Sequence, residues 1–222
     1  MNKRAIKLVI VVIIAIFAFC FVFSGLRNIK LDAFVPSSVI FVVDSSASNQ
    51  KKLGEQKKFV KQLCNRLDPE DVIKIIRVSE DAYLIYEGSS HHTKAISDSM
   101  NEFTKYDSKD WGTAYGVGLD KALNFAVSMQ KEGYKPAIVV VGDLENEGDI
   151  DKQINWNTIQ DQVKSVKASV PDLVMMFVYA HPQKLDVVKT KLSPVLGETR
   201  LIISTDQGID KIINKFLTTI GR

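Results

Sequence analysis

Features typical of secreted eukaryotic domains are scarce in this sequence. The 222 residues include only two cysteines, Cys20 and Cys64, and no N-x-S/T glycosylation sequon. Cys20 lies in a long apolar run and Cys64 in a predicted helix, so we expect no disulfide. The lack of a disulfide framework and of glycosylation sites fits a bacterial cell surface better than a eukaryotic one.

Motifs that mark common enzyme classes are also absent. The sequence contains no G-x-S-x-G nucleophile elbow and no G-x-x-x-x-G-K-[ST] phosphate-binding loop. A phosphoryl-transfer aspartate at Asp44 would resemble the haloacid dehalogenase motif, but that motif needs a second aspartate where Ser46 stands. We therefore expect a protein that is not an enzyme, and a metal-dependent hydrolase is the weaker alternative.

Charge is nearly balanced over most of the chain. Beyond residue 32 there are 24 basic and 25 acidic residues, so the net charge of +3 comes from the N-terminal segment. A chain without a basic excess outside that segment lacks the electrostatic signature of nucleic-acid binding. We expect no nucleic-acid partner.

The longest uncharged apolar run lies near the N-terminus. Residues 8–23 read LVIVVIIAIFAFCFVF, and residues 5–26 are interrupted only by Lys7. This length is close to the roughly 20 residues that cross a bilayer, and a lysine near a helix end can extend its ammonium to the headgroups. We therefore predict a transmembrane anchor over residues 8–26. A cleaved secretory signal is the alternative.

The basic residues on either side of this run predict its orientation. Lys3, Arg4 and Lys7 outweigh Arg27 and Lys30, and the more basic flank usually stays in the cytoplasm. We predict a single-pass protein of the cell membrane, with a cytoplasmic tail at residues 1–7, a linker at 27–36 and an extracytoplasmic domain at 37–222.

Strand and helix patterns alternate through this domain. Continuous apolar, β-branched runs, typical of strands covered on both faces, alternate with segments whose apolar residues share one helical face. The predicted strands are Ser38–Val43, Val72–Val78, Ala82–Glu87, Ala137–Val141, Leu173–Val178 and Arg200–Ile203. The predicted helices are Lys51–Leu67, Lys94–Phe103, Thr113–Met129, Gln153–Ser169, Leu185–Leu192 and Ile209–Ile220. The short link after the second strand predicts an antiparallel hairpin, and the other connections predict a doubly wound, mostly parallel sheet between helices.

Polar residues follow the first and fourth predicted strands, where ligands of such sheets bind. Asp44, Ser46 and Ser48 occupy alternate positions after the first strand, Thr113 begins a predicted helix, and Asp143 follows the fourth strand. Hard oxygen ligands of this kind suit Mg²⁺, Ca²⁺ or Mn²⁺. Taken alone, the residues after the first strand also fit a turn that caps the next helix.

Together these residues resemble the metal-ion-dependent adhesion site of the von Willebrand factor A family. That site consists of D-x-S-x-S after the first strand, a threonine in a second loop and an aspartate after the fourth strand. The counterparts here are Asp44, Ser46, Ser48, Thr113 and Asp143. The resemblance, which runs from about Ser38 to the C-terminus, implies a three-layer α/β fold whose six-stranded sheet has one antiparallel edge strand.

The resemblance also implies a function. In the family the serines coordinate the cation, the threonine does so directly or through water, and the aspartates act mostly through water. The remaining coordination position is left for an acidic side chain of a partner protein. We expect Mg²⁺, with Ca²⁺ or Mn²⁺ as alternatives, and a binding module that acts in adhesion or in the assembly of a surface or envelope complex.

Two positions depart from the family pattern. Trp111 stands where the family usually has a small residue, and Gly142-Asp143-Leu144 replaces Thr-Asp-Gly. These changes leave open a second hypothesis, in which the metal site is vestigial and the chain is a structural subunit of a membrane assembly.

Overall fold

The computed structural model describes residues 34–102, 112–204 and 208–222. Residues Val35–Arg222 form one compact unit. The predicted anchor at 8–26, most of the predicted linker and Trp111 lie outside the described residues. Among the helices that are described, none is long and apolar enough to cross a bilayer.

Strands and helices alternate within the described residues, as predicted. The strands are β1 (Ser37–Asp44), β2 (Val72–Val78), β3 (Ala82–Ser89), β4 (Lys135–Val141), β5 (Val174–Val178) and β6 (Leu201–Ile203). The α-helices are α1 (Leu53–Cys64), α2 (Thr93–Glu102), α3 (Tyr115–Lys131), α4 (Trp156–Ser169), α5 (Pro182–Leu196) and α6 (Ile209–Ile220). The helix predicted from Lys51 begins two residues later, because Ala47–Lys52 forms a 3₁₀ helix.

The strands form one six-stranded sheet in the order β3-β2-β1-β4-β5-β6. The edge strand β3 runs antiparallel to β2, and the other neighbouring strands are parallel. The predicted mostly parallel sheet with one antiparallel edge strand is therefore confirmed. Since the chain moves from β1 to β2 on one side and later to β4 on the other, the winding reverses at β1, and the crevice beyond its carboxyl end is where such sheets bind ligands.

Side chains of β1 alternate between the two faces of the sheet. Val39, Phe41 and Val43 join a buried cluster with α1, α2 and α6. Ile40 and Val42 join a second buried cluster with α3, α4 and α5. Full burial of one such side chain contributes roughly 1.5–3 kcal/mol, so the central strand is held by apolar packing on both sides. This gives the three-layer architecture that was predicted.

A charged cluster closes the amino end of the sheet. Asp71, which is fully buried just before β2, accepts the N–H of Ser37 at 2.6 Å and the N–H of Asp68 at 2.9 Å. The Arg222 guanidinium lies 2.6 and 3.0 Å from the two Asp71 carboxylate oxygens and also donates to the carbonyl of Val35 at 3.1 Å. Arg222 therefore ties the end of α6 to the beginnings of β1 and β2.

Candidate functional site

Asp44 ends β1 at the carboxyl edge of the sheet and is fully buried. Its Oδ1 accepts the N–H of Ser46 at 2.7 Å. Its Oδ2 accepts the side-chain amide of Asn49 at 2.9 Å and the hydroxyl of Tyr115 at 3.0 Å. All three donors are neutral groups, so they orient the carboxylate without cancelling its charge.

The electrostatic environment of Asp44 reflects this arrangement. Burial raises the pKa of the Asp44 carboxyl from 3.8 to about 6, the backbone and side-chain hydrogen bonds from Ser46 lower it, and the nearby charge of Asp143 raises it. Burial, followed by the adjacent Asp44 and Asp143 charges, raises the pKa of Tyr115 well above its ordinary value. Tyr115 therefore faces Asp44 as a neutral hydrogen-bond donor.

Ser46 and Ser48 follow Asp44 in the first loop. Ser46 is buried, and its side chain hydrogen-bonds to the Asp44 carboxylate. The preceding residue, Ser45, donates its N–H and its hydroxyl to the carbonyl of Val78 at 2.9 and 3.2 Å, which fixes this loop against the end of β2. Ser48 lies in the 3₁₀ helix, and its side chain is outside the described part of the structure.

Thr113 lies in a loop, so the prediction that it begins a helix is wrong. Its N–H donates to the carbonyl of Glu147 at 3.0 Å, and the N–H of Ala114 donates to the carbonyl of Ser79 at 2.7 Å. These contacts anchor residues 113 and 114 to two other loops, and α3 begins only at Tyr115. Thr113 is 1% exposed, and its Oγ1 has no hydrogen-bond partner among the described residues.

Asp143 follows β4 in the third loop and is half-buried. Its Oδ1 accepts the N–H of Glu145 at 2.9 Å, and its charge acts on Asp44. The preceding Gly142 packs tightly: a Cβ atom at this position would lie 2.5 Å from the Asp44 Cβ and 2.0 Å from the Tyr115 hydroxyl.

Three chain-distant loops thus converge around Asp44. Tyr115, from the segment that carries Thr113, and Gly142, next to Asp143, both approach Asp44 directly. The first two loops also bind consecutive residues at the end of β2, because Ser45 contacts Val78 and Ala114 contacts Ser79. The structure brings together the loops that carry the predicted site residues, and cation binding by those residues stays a prediction.

The oxygen groups that these loops carry are of the kind that a hard divalent cation prefers. The hydroxyls of Ser46 and Thr113 and the carboxylates of Asp44 and Asp143 are the donor types that Mg²⁺, Ca²⁺ and Mn²⁺ prefer. The buried hydroxyl of Thr113, like those of Ser37, Ser38 and Ser79, has no hydrogen-bond partner among the described residues, and a cation or its bound water at this position would satisfy it. Among the described residues, no group of three or more His, Cys, Asp or Glu side chains is placed to hold a metal ion, either at this site or elsewhere.

Sequence reasoning missed two residues of this site and the backbone conformation of a third. Asn49 and Tyr115 both donate to Asp44, but Asn49 lies beyond the D-x-S-x-S motif and Tyr115 fits the apolar face of a helix. Leu144 has a positive φ of 60° at the position where the family usually has glycine. A left-handed conformation costs a non-glycine residue roughly 1–2 kcal/mol, which burial of the Leu144 side chain offsets.

Comparison with known families supports this architecture. Residues 39–146 match the family model of the von Willebrand factor type A domain. The domain has a von Willebrand factor type A fold. Among curated proteins, none matches the sequence significantly.

Solved structures with this fold come from several contexts. The pilus adhesin SpaC from Lactobacillus rhamnosus GG, in an open conformation, has a TM-score of 0.59 at 12% identity, over 85% of this chain and 30% of SpaC. An aerotolerance-related membrane protein from Bacteroides fragilis has a TM-score of 0.56 at 17% identity, over 83% of this chain and 98% of that protein. Manganese-loaded TRAP protein from Plasmodium vivax has a TM-score of 0.60 at 11% identity, over 83% of this chain and 73% of TRAP. Identities this low show the fold alone, and the chain spans less than a third of SpaC.

Proposed function

We propose that this chain is a membrane-anchored von Willebrand factor A module that binds a partner protein through a divalent cation. The cation would be held at a site formed by Asp44, Ser46, Ser48, Thr113 and Asp143. The observation that carries the proposal is the convergence of three loops around Asp44, with the buried Thr113 hydroxyl unpartnered among the described residues. We expect the module to act in adhesion or in the assembly of a surface complex.

The residues of the site have distinct roles in this proposal. The hydroxyls of Ser46 and Ser48 would hold the cation, that of Thr113 would do so directly or through water, and the carboxylates of Asp44 and Asp143 would act mostly through water. When bound, the cation supplies Lewis acidity toward an incoming carboxylate, because neutral hydroxyl ligands leave its charge largely uncompensated. The partner therefore contributes an aspartate or glutamate. Mg²⁺ is the expected cation, with Ca²⁺ or Mn²⁺ as alternatives.

The surface beside Thr113 allows such an approach. A cavity of about 240 Å³ opens there, and its wall includes Thr113, Glu80 and Lys152. The Lys152 ammonium donates to the carbonyl of Glu80 at 3.0 Å and lies 3.7 Å from Asp149. The same wall carries Glu80, Glu147 and Asp149, so the attraction for an acidic partner residue would have to come from the cation itself.

Calorimetric titration of the purified 222-residue chain in detergent with Mg²⁺ and with Mn²⁺ tests the site. Ser46→Ala should abolish cation binding, because it removes a ligand. Ser45→Ala is the matched control: it removes a neighbouring hydroxyl whose described bond is to the carbonyl of Val78, and it should bind as the unmodified chain does. Equal affinities of both variants would contradict the assignment of Ser46.

Capture of the partner tests the function itself. The chain is used as bait in membrane extracts with Mg²⁺ or with EDTA, and a retained protein is identified and purified. Its binding to the chain should be lost in EDTA and in Asp44→Ala. Binding that survives both changes contradicts the proposal. We propose no catalytic activity, and turnover in a phosphatase and esterase panel would overturn that part.

One observation favours a second candidate function, a structural subunit whose metal site is vestigial. The Asp44 carboxylate already accepts hydrogen bonds from Ser46, Asn49 and Tyr115, so it is satisfied without a cation. In that case neither the chain's assembly nor its stability responds to EDTA or to Ser46→Ala.

The anchor and its orientation are part of the proposal. Residues 8–26 would cross the membrane once with the N-terminus in the cytoplasm, which leaves residues 37–222 outside. Mass spectrometry of the membrane-extracted chain should find residues 1–26 still attached, and protease added outside the cell should degrade the domain. A mature chain without this segment indicates a cleaved signal instead.

A further inference from the structure

We propose that Tyr115 is the positioning residue of the site, and that its hydroxyl fixes the Asp44 carboxylate against the loop after β4. This inference rests on the proposed function and adds to it a residue outside the five predicted ligands. Tyr115 touches no cation in this account. It acts through Asp44.

The contacts of the Tyr115 hydroxyl carry the inference. It donates to Asp44 Oδ2 at 3.0 Å and accepts the N–H of Leu144 at 3.3 Å. Tyr115 is also the first residue of α3, two positions after Thr113. One fully buried hydroxyl therefore joins the loop after β1 to the loop after β4, and it belongs to the residue that follows the Thr113 loop.

The packing around Gly142 is a second observation about this hydroxyl, because it leaves no room for a side chain at residue 142. A Cβ atom at residue 142 would lie 2.0 Å from the Tyr115 hydroxyl oxygen and 2.5 Å from the Asp44 Cβ. Any larger residue at position 142 would thus force the hydroxyl, the Asp44 side chain or the backbone at residue 142, whose φ is 154°, to move. Tyr115 and Gly142 form a matched pair, in which the tyrosine hydroxyl fills the space that a side chain at residue 142 would otherwise occupy.

The benefit for a cation site is preorganisation. Tyr115 and Asn49 hold Asp44 Oδ2, and the N–H of Ser46 holds Oδ1, so the carboxylate is oriented before a cation arrives. Hydrogen bonds to outer-shell groups commonly change metal affinity by about 10–100-fold. Because the donors are neutral, the negative charge that attracts a cation is kept.

Calorimetric titration of Tyr115→Phe with Mg²⁺ and Mn²⁺ tests this role, because the substitution keeps the ring and removes the hydroxyl. We expect affinity to fall by about 10-fold or more. The control is Tyr86→Phe, which removes a hydroxyl that donates to the carbonyl of Ser89 at 2.9 Å and should leave cation affinity unchanged. If the unmodified chain binds and Tyr115→Phe binds equally well, the inference alone is overturned. If the unmodified chain binds neither cation, the proposed function fails with it.

A second measurement needs no cation. In EDTA, Gly142→Ala should lower the Tm more when it is introduced into the unmodified 222-residue chain than when it is introduced into a chain that already carries Tyr115→Phe. The 2.0 Å contact involves the hydroxyl, which Phe lacks. Such non-additivity is typical of residues in contact. Additive Tm shifts would contradict the matched pair.

Discussion

Two fully buried aspartates lie at opposite ends of the same sheet and differ in the charge of their partners. Asp71, at the amino end, contacts the Arg222 guanidinium at 2.6 and 3.0 Å. Asp44, at the carboxyl end, accepts hydrogen bonds from the neutral groups of Ser46, Asn49 and Tyr115. The chain neutralises the first charge by itself, whereas the donors around the second are neutral, and we propose that a cation compensates that second charge. In our proposal, the Asp71 carboxylate holds the fold together and the Asp44 carboxylate is available for binding.

The largest expected effect comes from breaking the pair at the amino end. Arg222→Met should lower the free energy of unfolding by about 3–5 kcal/mol, because it leaves the Asp71 charge buried without its partner. Urea unfolding of the 222-residue chain measures this change. Arg200→Met is the control: Arg200 pairs with the exposed Asp172 at 2.5 Å, and loss of an exposed pair should cost less than about 1 kcal/mol. Similar losses of unfolding free energy in both variants would show that the buried Asp71–Arg222 pair stabilises the fold no more than an exposed pair does.

The next effect concerns the carboxyl end and depends on the cation. Mg²⁺ at about 100 times its dissociation constant should stabilise the chain by about 2.7 kcal/mol, and Thr113→Val should lose this gain. In EDTA the same variant should be as stable as the unmodified chain or about 1 kcal/mol more stable, because it removes a buried hydroxyl that has no partner among the described residues. Urea unfolding with Mg²⁺ and with EDTA measures both changes.

Ser38 provides the matched control for Thr113. Its hydroxyl is also buried without a partner among the described residues, but it lies near the start of β1. Ser38→Ala should therefore be tolerated in EDTA and keep the full response to Mg²⁺. A loss of that response in Ser38→Ala, or its survival in Thr113→Val, would show that the two ends do not differ as described.

The smallest expected effect lies on the acidic rim, by which we mean the loop after Asp143 that carries Glu145, Glu147, Asp149 and Asp151. Glu145 pairs with Lys184 at 3.1 Å, and both side chains are partly exposed. Glu145→Gln should change the free energy of unfolding by less than about 1 kcal/mol and leave Mg²⁺ affinity unchanged in calorimetry. A large loss of affinity would place the cation on the rim instead of beside Asp44.

Much of the fold could be predicted from the sequence, because it depends on local patterns. Strands buried on both faces, such as β1, have continuous apolar runs, and the three residues between β2 and β3 allow only a hairpin. The site loops could be predicted because ligand residues of such sheets follow the strands directly. The roles of Tyr115 and Arg222 could not, because each depends on a partner 71 or 151 residues away in the chain. The sequence predicts a helix from Thr113 because the residues that follow it have helical spacing. In the structure the Thr113 N–H donates instead to the carbonyl of Glu147 in another loop.

The most direct test is anomalous diffraction from crystals of the chain grown with Mn²⁺. A cation bound as proposed gives a peak at coordination distance, about 2.0–2.6 Å, from the hydroxyl oxygen of Ser46, with Thr113 coordinating directly or through one water. The Tyr115 hydroxyl should still donate to Asp44. Density that shows no peak there, or a peak only among the rim carboxylates at residues 145–151, would contradict the account.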